Sequence, residues 1–370
     1  MMAASQNIKV SLSVLLEGVD VIGALPDVQV SGVAMDSRQL AEGDVFLACA
    51  GYRSHGLDYL QQAFDAGVKI ILADVTSEWL PQKIEALSEK SPVPVIAVSG
   101  LGESASLIAG RFYGNPSHEL SVIGITGTNG KTSCSQFIAN AFEGKRKVAV
   151  LGTLGNGFPG DLIPSTHTTM DPVSVQAALA LLKIQHAEMV AMEVSSHALQ
   201  QGRVADVQFD MAVLTNFSRD HLDYHGTMAD YASAKSLLFK MPALKSVLIN
   251  ADDELGKRLV DELATSPVRI VAYGESVGRG TDVSAVDAWI GIESVRALPH
   301  GLLFTVVSSW GEADVELSLM GRFNVSNAVV ALGVMLECGV DFREAINNLA
   351  LLKTVNGRME MFSADGGPAV

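Results

Sequence analysis

The sequence predicts an α/β fold: an N-terminal α/β domain, then a domain in which a mainly parallel sheet is covered by helices. Short apolar runs rich in β-branched residues alternate with stretches of helical periodicity, and parallel strands buried on both faces have this composition. The predicted strands span residues 45–49, 69–73, 93–98, 121–126, 147–151, 188–194, 210–215, 246–249 and 268–272. Residues 305–310 and 315–319 alternate more strictly, which predicts an antiparallel appendage.

A turn-forming segment, Asn115-Pro-Ser117, separates two series of strands and helices. Proline restricts the residue before it, and asparagine and serine favour turns. We therefore expect an N-terminal domain over residues 1–118 and a central domain over residues 119–357, with 358–370 beginning a third. A chain of 370 residues is long enough for two domains or more.

The composition narrows the class of protein. Cys49, Cys134 and Cys338 are scattered and show no metal-binding spacing, which favours a reduced cytoplasmic protein over a disulfide scaffold. We find neither a signal peptide nor an apolar run of the roughly 18 residues that a membrane span requires. The net charge of −15 argues against nucleic acid as a partner, because a phosphate backbone requires a basic surface. We expect a monomer.

Residues 127–132, Gly-Thr-Asn-Gly-Lys-Thr, are the most informative segment of the chain. A strand is predicted directly before them and a helix directly after, so that backbone N–H groups and the positive end of the helix face one anion. In that arrangement Lys131 would reach the terminal phosphates of a nucleotide, and the Thr132 hydroxyl would ligate magnesium. Ile125 stands where the strict phosphate-loop pattern has glycine, so an ordinary strand–helix turn is the alternative.

Ligand-type side chains follow two other predicted strands. Glu193 closes one strand, where a magnesium-binding carboxylate belongs, and precedes Ser195-Ser-His197. The segment 216–225 follows another strand and is dense in aspartate and histidine. Open α/β sheets bind ligands at the carboxyl ends of their strands. Helix capping and ordinary turns are the alternatives for each segment taken alone.

Four motifs together resemble the Mur ligases. They are Gly127-Thr-Asn-Gly-Lys-Thr132, Glu193-Val-Ser-Ser-His197, the run Thr215 to Gly226 with Tyr231-Ala-Ser-Ala-Lys235, and Gly321-Arg-Phe-Asn-Val-Ser-Asn327. They occur in the order and spacing of the family, and the similarity is greatest to its diaminopimelate-adding members. The resemblance runs from about Met35 to the last residue.

The resemblance implies ATP-dependent amide synthesis in peptidoglycan precursor formation. ATP would phosphorylate the D-glutamyl carboxylate of UDP-N-acetylmuramoyl-L-alanyl-D-glutamate, and the amine of an amino acid, meso-diaminopimelate, would attack the acyl phosphate. It implies that Thr132 and Glu193 serve one Mg²⁺, that His221 helps to bind a second, and that Lys235 carries a carbamate. Nucleotide contacts carry over to Gly127, Thr128, Asn129, Gly130, Lys131, Thr132, Ser133, Asn324 and Asn327.

The resemblance also implies the substrate contacts. Segments 35–38 and 51–54 match those that hold the uridine diphosphate, through Met35, Ser37, Tyr52, Arg53 and Ser54. The muramoyl-peptide contacts carry over to His167, Thr168, Thr169, Ser195, Gln201 and Arg203. Arginine suits this role because its guanidinium pairs with phosphate or carboxylate through two hydrogen bonds. His167 departs from the family, which has asparagine there in enterobacterial members.

Asn356-Gly-Arg358-Met-Glu360 matches the start of the third domain of the family, of which we expect most to be missing. The motif that selects the amino acid lies in that domain, so addition of L-lysine is an alternative to addition of diaminopimelate. A truncated module that binds a UDP-sugar and a nucleotide without turnover is a second alternative. A folylpolyglutamate synthetase is a third, but that enzyme lacks a uridine-binding domain before the phosphate loop.

Overall fold

A computed structural model describes residues 8–51, 54–280 and 282–355. The chain divides into two compact units. The first unit contains residues up to Glu119 together with 170–185 and 198–207, and the second contains 120–169, 186–197 and 208 onward. The domain ranges expected from the sequence are contiguous, whereas the first unit also includes residues 170–185 and 198–207, which lie within the range expected for the central domain. Tyr52, Arg53 and the segment 356–360 lie outside the described residues.

The first unit is built on a five-stranded sheet. Its elements up to residue 119 are β1 (Val10–Ser11), α1 (Leu12–Leu15), β2 (Val21–Ile22), β3 (Gln29–Val30), β4 (Gly32–Ala34), β5 (Asp44–Ala48), α2 (Leu60–Ala66), β6 (Ile70–Asp74), α3 (Pro81–Ser88), β7 (Val95–Val98) and α4 (Leu101–Phe112). The strand order is β2-β7-β6-β5-β4, and all neighbours are parallel except β2 and β7. β1 and β3 pair separately.

The second unit contains an eleven-stranded sheet. The elements from residue 120 onward are β8 (Ser121–Thr126), α5 (Lys131–Ala141), β9 (Val148–Gly152), β10 (Gly155–Phe158), β11 (Asp161–Ile163), α6 (Pro172–Ile184), β12 (Met189–Glu193), α7 (Ser196–Gln200), β13 (Met211–Leu214), α8 (Leu222–His225), α9 (Met228–Ser236), β14 (Ser246–Asn250), α10 (Glu254–Leu263), β15 (Arg269–Gly274), β16 (Ala288–Leu298), β17 (Gly301–Ser308), β18 (Gly311–Leu317), α11 (Phe323–Glu337) and α12 (Phe342–Ala350). Of these, α6 belongs to the first unit, and α7 spans the boundary.

The sheet of the second unit has a parallel centre and antiparallel edges. Its order is β11-β10-β9-β12-β8-β13-β14-β15-β16-β17-β18. The pairs from β9 through β16 are parallel, while β10–β11, β9–β10, β16–β17 and β17–β18 are antiparallel. β12, β13 and β14 are buried along their whole length, and β8 is buried from Val122 onward, which explains why their sequences are nearly continuous apolar runs.

Two helices, α5 and α11, cover one face of this sheet. Residues 127–132, here called the phosphate loop, run from the carboxyl end of the central strand β8 into α5. α5 and α11 share the main hydrophobic core with strand residues such as Ile125, Val213 and Leu248. α11 is apolar over nearly its whole surface because it is enclosed by neighbouring elements. No helix in the described part of the chain has the length and apolar character needed to cross a membrane.

The predicted fold class is confirmed. The antiparallel appendage forms as β17 and β18, paired with each other. The β10–β11 hairpin was not predicted, because Gly155 and Gly157 interrupt the alternation of apolar and polar residues that marks a strand. In the structure both glycines take positive φ angles, of 139° and 136°. α9 ends at Ser236, and the chain continues as a 3₁₀ turn over Leu237–Lys240.

Candidate functional site

The loop between β8 and α5 depends on two glycines. Gly127 has φ 146°, and a Cβ there would lie 1.9 Å from Thr215 Oγ1. Gly130 has φ 85°, and a Cβ there would lie 2.5 Å from Asn327 Oδ1. Positive φ angles are strained for side chains with a Cβ. The loop therefore adopts this path only because glycine occupies both positions.

The amino end of α5 and Lys131 provide positive charge at this loop. α5 begins at Lys131, and no side chain caps its N-terminus. The Lys131 ammonium donates hydrogen bonds to the carbonyl oxygens of Gly127 (2.7 Å) and Thr128 (3.0 Å), so it lies directly over the loop. Backbone N–H groups, the helix dipole and an ammonium at one place form a phosphate-binding arrangement.

Loop 215–218, which follows β13, holds the phosphate loop from the side. Thr215 Oγ1 and Asn216 Nδ2 both donate to the carbonyl oxygen of Asn129, and Asn216 Oδ1 accepts from the Asn129 N–H. The Thr128 hydroxyl donates to the Ser218 carbonyl oxygen and accepts from its N–H. The loop is thereby pre-shaped by neighbouring segments.

Thr132 and Glu193 form a buried pair of oxygen donors beside the loop. Thr132 Oγ1 donates to Glu193 Oε2 at 2.9 Å, and Glu193 is 2% exposed. Thr153 donates to the same carboxylate through its backbone N–H (2.9 Å) and its hydroxyl (3.1 Å). Burial raises the pKa of Glu193, and the hydrogen bonds from Thr153 and Thr132 oppose that rise. The carboxylate of Glu193 fits here only because residue 152 is glycine: a Cβ at that position would lie 2.1 Å from Glu193 Oε1.

Lys235 is a buried amine at the same loop. Its side chain is 1% exposed, and Nζ donates to the Gly127 carbonyl oxygen at 2.8 Å. Nζ also lies 4.5 Å from the centre of the Tyr231 ring. Burial, and secondarily the charge of Lys131, lowers the pKa of Lys235 to about 6. The amine is therefore mostly neutral at pH 7, which is the state that can add carbon dioxide.

His221 lies at the more exposed side of the site. It precedes α8 with φ 50°, and its side chain is about half exposed. Its ring meets the ring of His197 edge to face at 5.1 Å, and His197 packs on Tyr224 at 4.0 Å. The structure thus brings His221 into contact with the segment that begins at Glu193.

Thr168, Thr169 and Ser195 also lie around Glu193. Thr169 Oγ1 donates to the Glu193 carbonyl oxygen (2.8 Å) and accepts from the Ser195 N–H (3.1 Å). Thr168 Oγ1 lies within hydrogen-bond distance of the Thr153 hydroxyl, at 3.1 Å. His167 is exposed, with Nδ1 2.9 Å from the hydroxyl of Thr166.

The remaining predicted contacts belong to the first unit. β4 and β5 are parallel neighbours, so Met35 and Ser37, which follow β4, lie at the same sheet edge as Ser54, which follows β5. Ser37 Oγ donates to Gln62 Oε1 at 2.5 Å. Gln201 and Arg203 contact each other, with Arg203 Nη2 donating to Gln201 Oε1 at 2.6 Å.

Asn324 and Asn327 lie in the first turns of α11. Asn327 Nδ2 donates to Asn324 Oδ1, and Asn324 Nδ2 donates to the Met320 carbonyl oxygen. Because a Cβ on Gly130 would meet Asn327 Oδ1, this end of α11 adjoins the phosphate loop. Beside it is a cavity of about 260 Å³ whose lining includes Asp252, Arg322 and Ser326.

Sequence reasoning missed several residues that shape this site. Thr153 donates twice to Glu193, Asn216 holds the loop, and the Tyr231 hydroxyl lies 3.2 Å from Thr128 Oγ1. Asn216 and Tyr231 stand inside recognised motifs, which was an available signal. Thr153 follows β9 and carries no local pattern, so only the pairing of β9 with β12 reveals it.

The donor set suits magnesium better than a softer metal. Within the described residues, no group of three or more His, Cys, Asp or Glu side chains is arranged to hold a metal ion. The buried Thr132 and Glu193 instead offer hard oxygen atoms beside a phosphate-binding loop. Mg²⁺ is commonly bound by one or two carboxylates together with substrate phosphates and water. The residues present therefore fit this ion.

Comparison with protein families gives two matches. The Mur ligase middle domain matches residues 125–335, and the catalytic domain of the Mur ligase family matches residues 29–113.

Individual proteins agree with these matches. The chain is 43% identical over 346 residues to the UDP-N-acetylmuramoyl-L-alanyl-D-glutamate–2,6-diaminopimelate ligase of Alkalilimnicola ehrlichii. The aligned region covers 93% of this chain and 68% of that protein. The chain is 42% identical to the ligase of the same name from Pseudomonas aeruginosa, covering 93% and 67%. A solved structure of a ligase with this name aligns with a TM-score of 0.77 at 28% identity, covering 97% of this chain and 70% of that one. The chain thus spans about two thirds of the length of these relatives.

Proposed function

Because the chain belongs to the Mur ligase family, we propose that it carries the nucleotide and substrate sites of an ATP-dependent ligase. This ligase adds an amino acid to UDP-N-acetylmuramoyl-L-alanyl-D-glutamate during peptidoglycan precursor synthesis in the cytoplasm. The relatives that carry this name support the assignment. The observation that carries the proposal is the convergence of Lys131, the Thr132–Glu193 pair and the buried Lys235 on one glycine-shaped loop.

The loop binds and orients the phosphates of ATP. The amides at the start of α5 and the Lys131 ammonium surround the transferring phosphoryl group, where negative charge is concentrated. Phosphoryl transfer requires little covalent chemistry from the protein, so its catalysis depends on positioning and charge stabilisation. The interactions with residues 215–218 hold the loop in shape before the nucleotide arrives.

Thr132 and Glu193 would hold one Mg²⁺, and His221 with a carbamate on Lys235 would hold a second. Bound Mg²⁺ neutralises phosphate charge and polarises the phosphoryl oxygens. Thr153 keeps the Glu193 carboxylate oriented toward Thr132 through its two hydrogen bonds. Ser133, Asn324 and Asn327 complete the contacts to the nucleotide.

The burial of the Lys235 amine explains how a lysine can contribute to binding a metal cation. A neutral amine adds carbon dioxide to form an N–C bond and releases one proton, which converts the side chain into a carboxylate-like anion. The lowered pKa of Lys235 supplies the neutral amine near pH 7. An unmodified, protonated lysine would repel a metal, whereas the carbamate offers hard oxygen atoms.

The remaining predicted site residues bind the UDP-muramoyl-dipeptide. Met35, Ser37 and Ser54, with Tyr52 and Arg53, bind the uridine diphosphate, while Gln201 and Arg203 pair with anionic groups of the muramoyl-peptide. His167, Thr168, Thr169 and Ser195 bind the dipeptide near Glu193. The D-glutamyl carboxylate attacks the γ-phosphorus of ATP, ADP leaves, and the amine of the amino acid then displaces phosphate from the acyl phosphate. The names of the relatives favour meso-diaminopimelate over L-lysine as that amino acid.

Trapping the acyl phosphate tests the proposal. The chain is incubated with Mg²⁺, ATP and UDP-N-acetylmuramoyl-L-alanyl-D-glutamate in the presence of hydroxylamine, and the hydroxamate is measured together with ADP. We expect a hydroxamate that requires both substrates. Binding of both substrates by calorimetry without any hydroxamate would instead support the binding-only module, and absence of nucleotide binding would refute the proposal.

A further inference from the structure

His225 is a buried histidine to which the proposed mechanism gives no role. It is the last residue of α8 and is 7% exposed. Its Nε2 atom lies 2.8 Å from Ser196 Oγ, and its backbone N–H donates to the His221 carbonyl oxygen at 3.0 Å. Ser196 is 1% exposed and stands three residues after Glu193. One side-chain hydrogen bond therefore connects the segment of Glu193 with the segment of His221.

The ring of His225 also packs against Tyr231. Their centres are 5.0 Å apart, and the rings are inclined by 35°. Tyr231 is fully buried, supports the Lys235 amine at 4.5 Å from its ring centre, and lies within hydrogen-bond distance of the Thr128 hydroxyl. His225 thus reaches the phosphate loop and the Lys235 amine through a single intervening side chain.

Packing alone does not explain an imidazole at this position. In the described part of the chain, His225 Nδ1 is buried and has no hydrogen-bond partner, and a buried polar atom without a partner is costly. A phenylalanine would also place an aromatic ring here and would bring no unpaired polar atom. What phenylalanine cannot supply is the hydrogen bond between Nε2 and Ser196. Burial, and then the charges of His221 and Lys235, lower the pKa of His225.

We propose that His225 is a positioning residue, which through Ser196 and Tyr231 holds the Glu193 segment in register with His221, at the start of α8, and with Lys235 on α9. This inference rests on the proposed function, because it concerns groups expected to bind Mg²⁺ and the phosphates. Residues that orient metal ligands from behind commonly change metal affinity about 10–100-fold when they are replaced. The hydrogen bond to Ser196 is the element on which the positioning depends.

Three variants of the whole chain separate this role from simple packing. Ser196→Ala removes the hydroxyl and leaves the ring, His225→Phe keeps a ring without nitrogen, and His225→Gln keeps a polar group that can reach Ser196. The matched control is Ser106→Ala, which removes another fully buried hydroxyl, one that accepts from the Asp206 N–H within the first unit. Two readouts are independent of turnover: the carbamate signal of Lys235 in carbon-13 NMR with labelled bicarbonate, and calorimetric affinity for Mg²⁺·ADP. Both are measured well below the unfolding transition.

We expect Ser196→Ala and His225→Phe to reduce carbamate occupancy and to weaken Mg²⁺·ADP binding about tenfold, while His225→Gln and Ser106→Ala stay within about twofold of the unmodified chain. Unchanged occupancy and affinity in the first two variants, with or without a lower unfolding temperature, would overturn the positioning role and leave the proposed function intact. An unmodified chain that neither forms the carbamate nor binds Mg²⁺·ADP would refute the proposed function itself, and this inference with it.

Discussion

The amine of Lys235 donates a hydrogen bond to the carbonyl oxygen of Gly127 at 2.8 Å, across 108 positions of sequence. Gly127 opens the phosphate loop, so this bond joins α9 to the strand–loop–helix segment that begins with β8. Lys131 donates to the same carbonyl oxygen. Two amines therefore share one acceptor, and their mutual repulsion contributes to the lowered pKa of Lys235.

Replacing Lys131 should weaken nucleotide binding. Lys131→Ala deletes the ammonium that lies over the loop, and hydrogen bonds to charged groups contribute about 1.5–3 kcal/mol. We expect ATP affinity measured by calorimetry to fall at least about tenfold. Lys245→Ala is the control, because Lys245 is largely exposed and pairs with Asp210. Equal affinities for both variants would remove Lys131 from the site.

Lys235 should carry a carbamate at neutral pH. Its amine is buried and mostly neutral, so labelled bicarbonate should produce a carbamate signal in carbon-13 NMR. The signal should disappear in Lys235→Ala and persist in Lys240→Ala, which changes a lysine in the next turn of the chain. A free amine at Lys235 in a metal-loaded and active protein would contradict the assignment.

Lys235 should also make stability depend on pH. The pKa falls from 10.5 to about 6 on folding, so between these values the unfolded chain binds a proton that the folded chain lacks. Stability therefore rises with pH through that window and is independent of this group below about pH 6. In buffer free of carbon dioxide, the stability gained by Lys235→Met should shrink by about 1 kcal/mol per pH unit from pH 7 to pH 9. Denaturant unfolding measures this difference, and a difference that stays constant would mean an ordinary pKa for Lys235.

Gly152→Ala should displace the Glu193 carboxylate. A Cβ at this position would lie 2.1 Å from Glu193 Oε1 and 2.6 Å from the carboxyl carbon, so the Glu193 side chain must leave the position in which it accepts from Thr132 and Thr153. We expect Mg²⁺·ADP affinity to fall by about tenfold or more while the chain remains folded. Gly102→Ala serves as the control, because the nearest atom to its Cβ would be 3.9 Å away in ordinary contact.

Arg203→Ala should weaken binding of the UDP-muramoyl-dipeptide without affecting ADP. Arg203 presents its guanidinium beside Gln201, and losing a hydrogen-bonded charge pair to the substrate costs about 2 kcal/mol or more. Calorimetry measures the affinity of each variant for the UDP-muramoyl-dipeptide. The control is Arg258→Ala, which changes an exposed arginine paired with Glu262 on α10. Similar affinity in the two variants would exclude Arg203 from the substrate site.

The sequence alone determined the fold class and the position of the phosphate loop. Central strands such as β8 and β13 are buried on both faces, so their apolar runs identify them without knowledge of their neighbours. The loop is equally local, because its function requires glycines, a lysine and a threonine at fixed spacing between a strand and a helix. The order of the four motifs identified the family for the same reason.

Only the tertiary structure decided the burial, the pKa and the orientation of the side chains in the site. The burial and lowered pKa of Lys235 depend on elements more than 100 residues away in sequence. The two hydrogen bonds from Thr153 to Glu193 depend on the pairing of β9 with β12. The contact of His225 with Ser196 depends on how α8 packs against the segment that follows β12. Each is a property of distant segments brought together, and the charge and orientation of a side chain follow from such neighbours rather than from the local pattern.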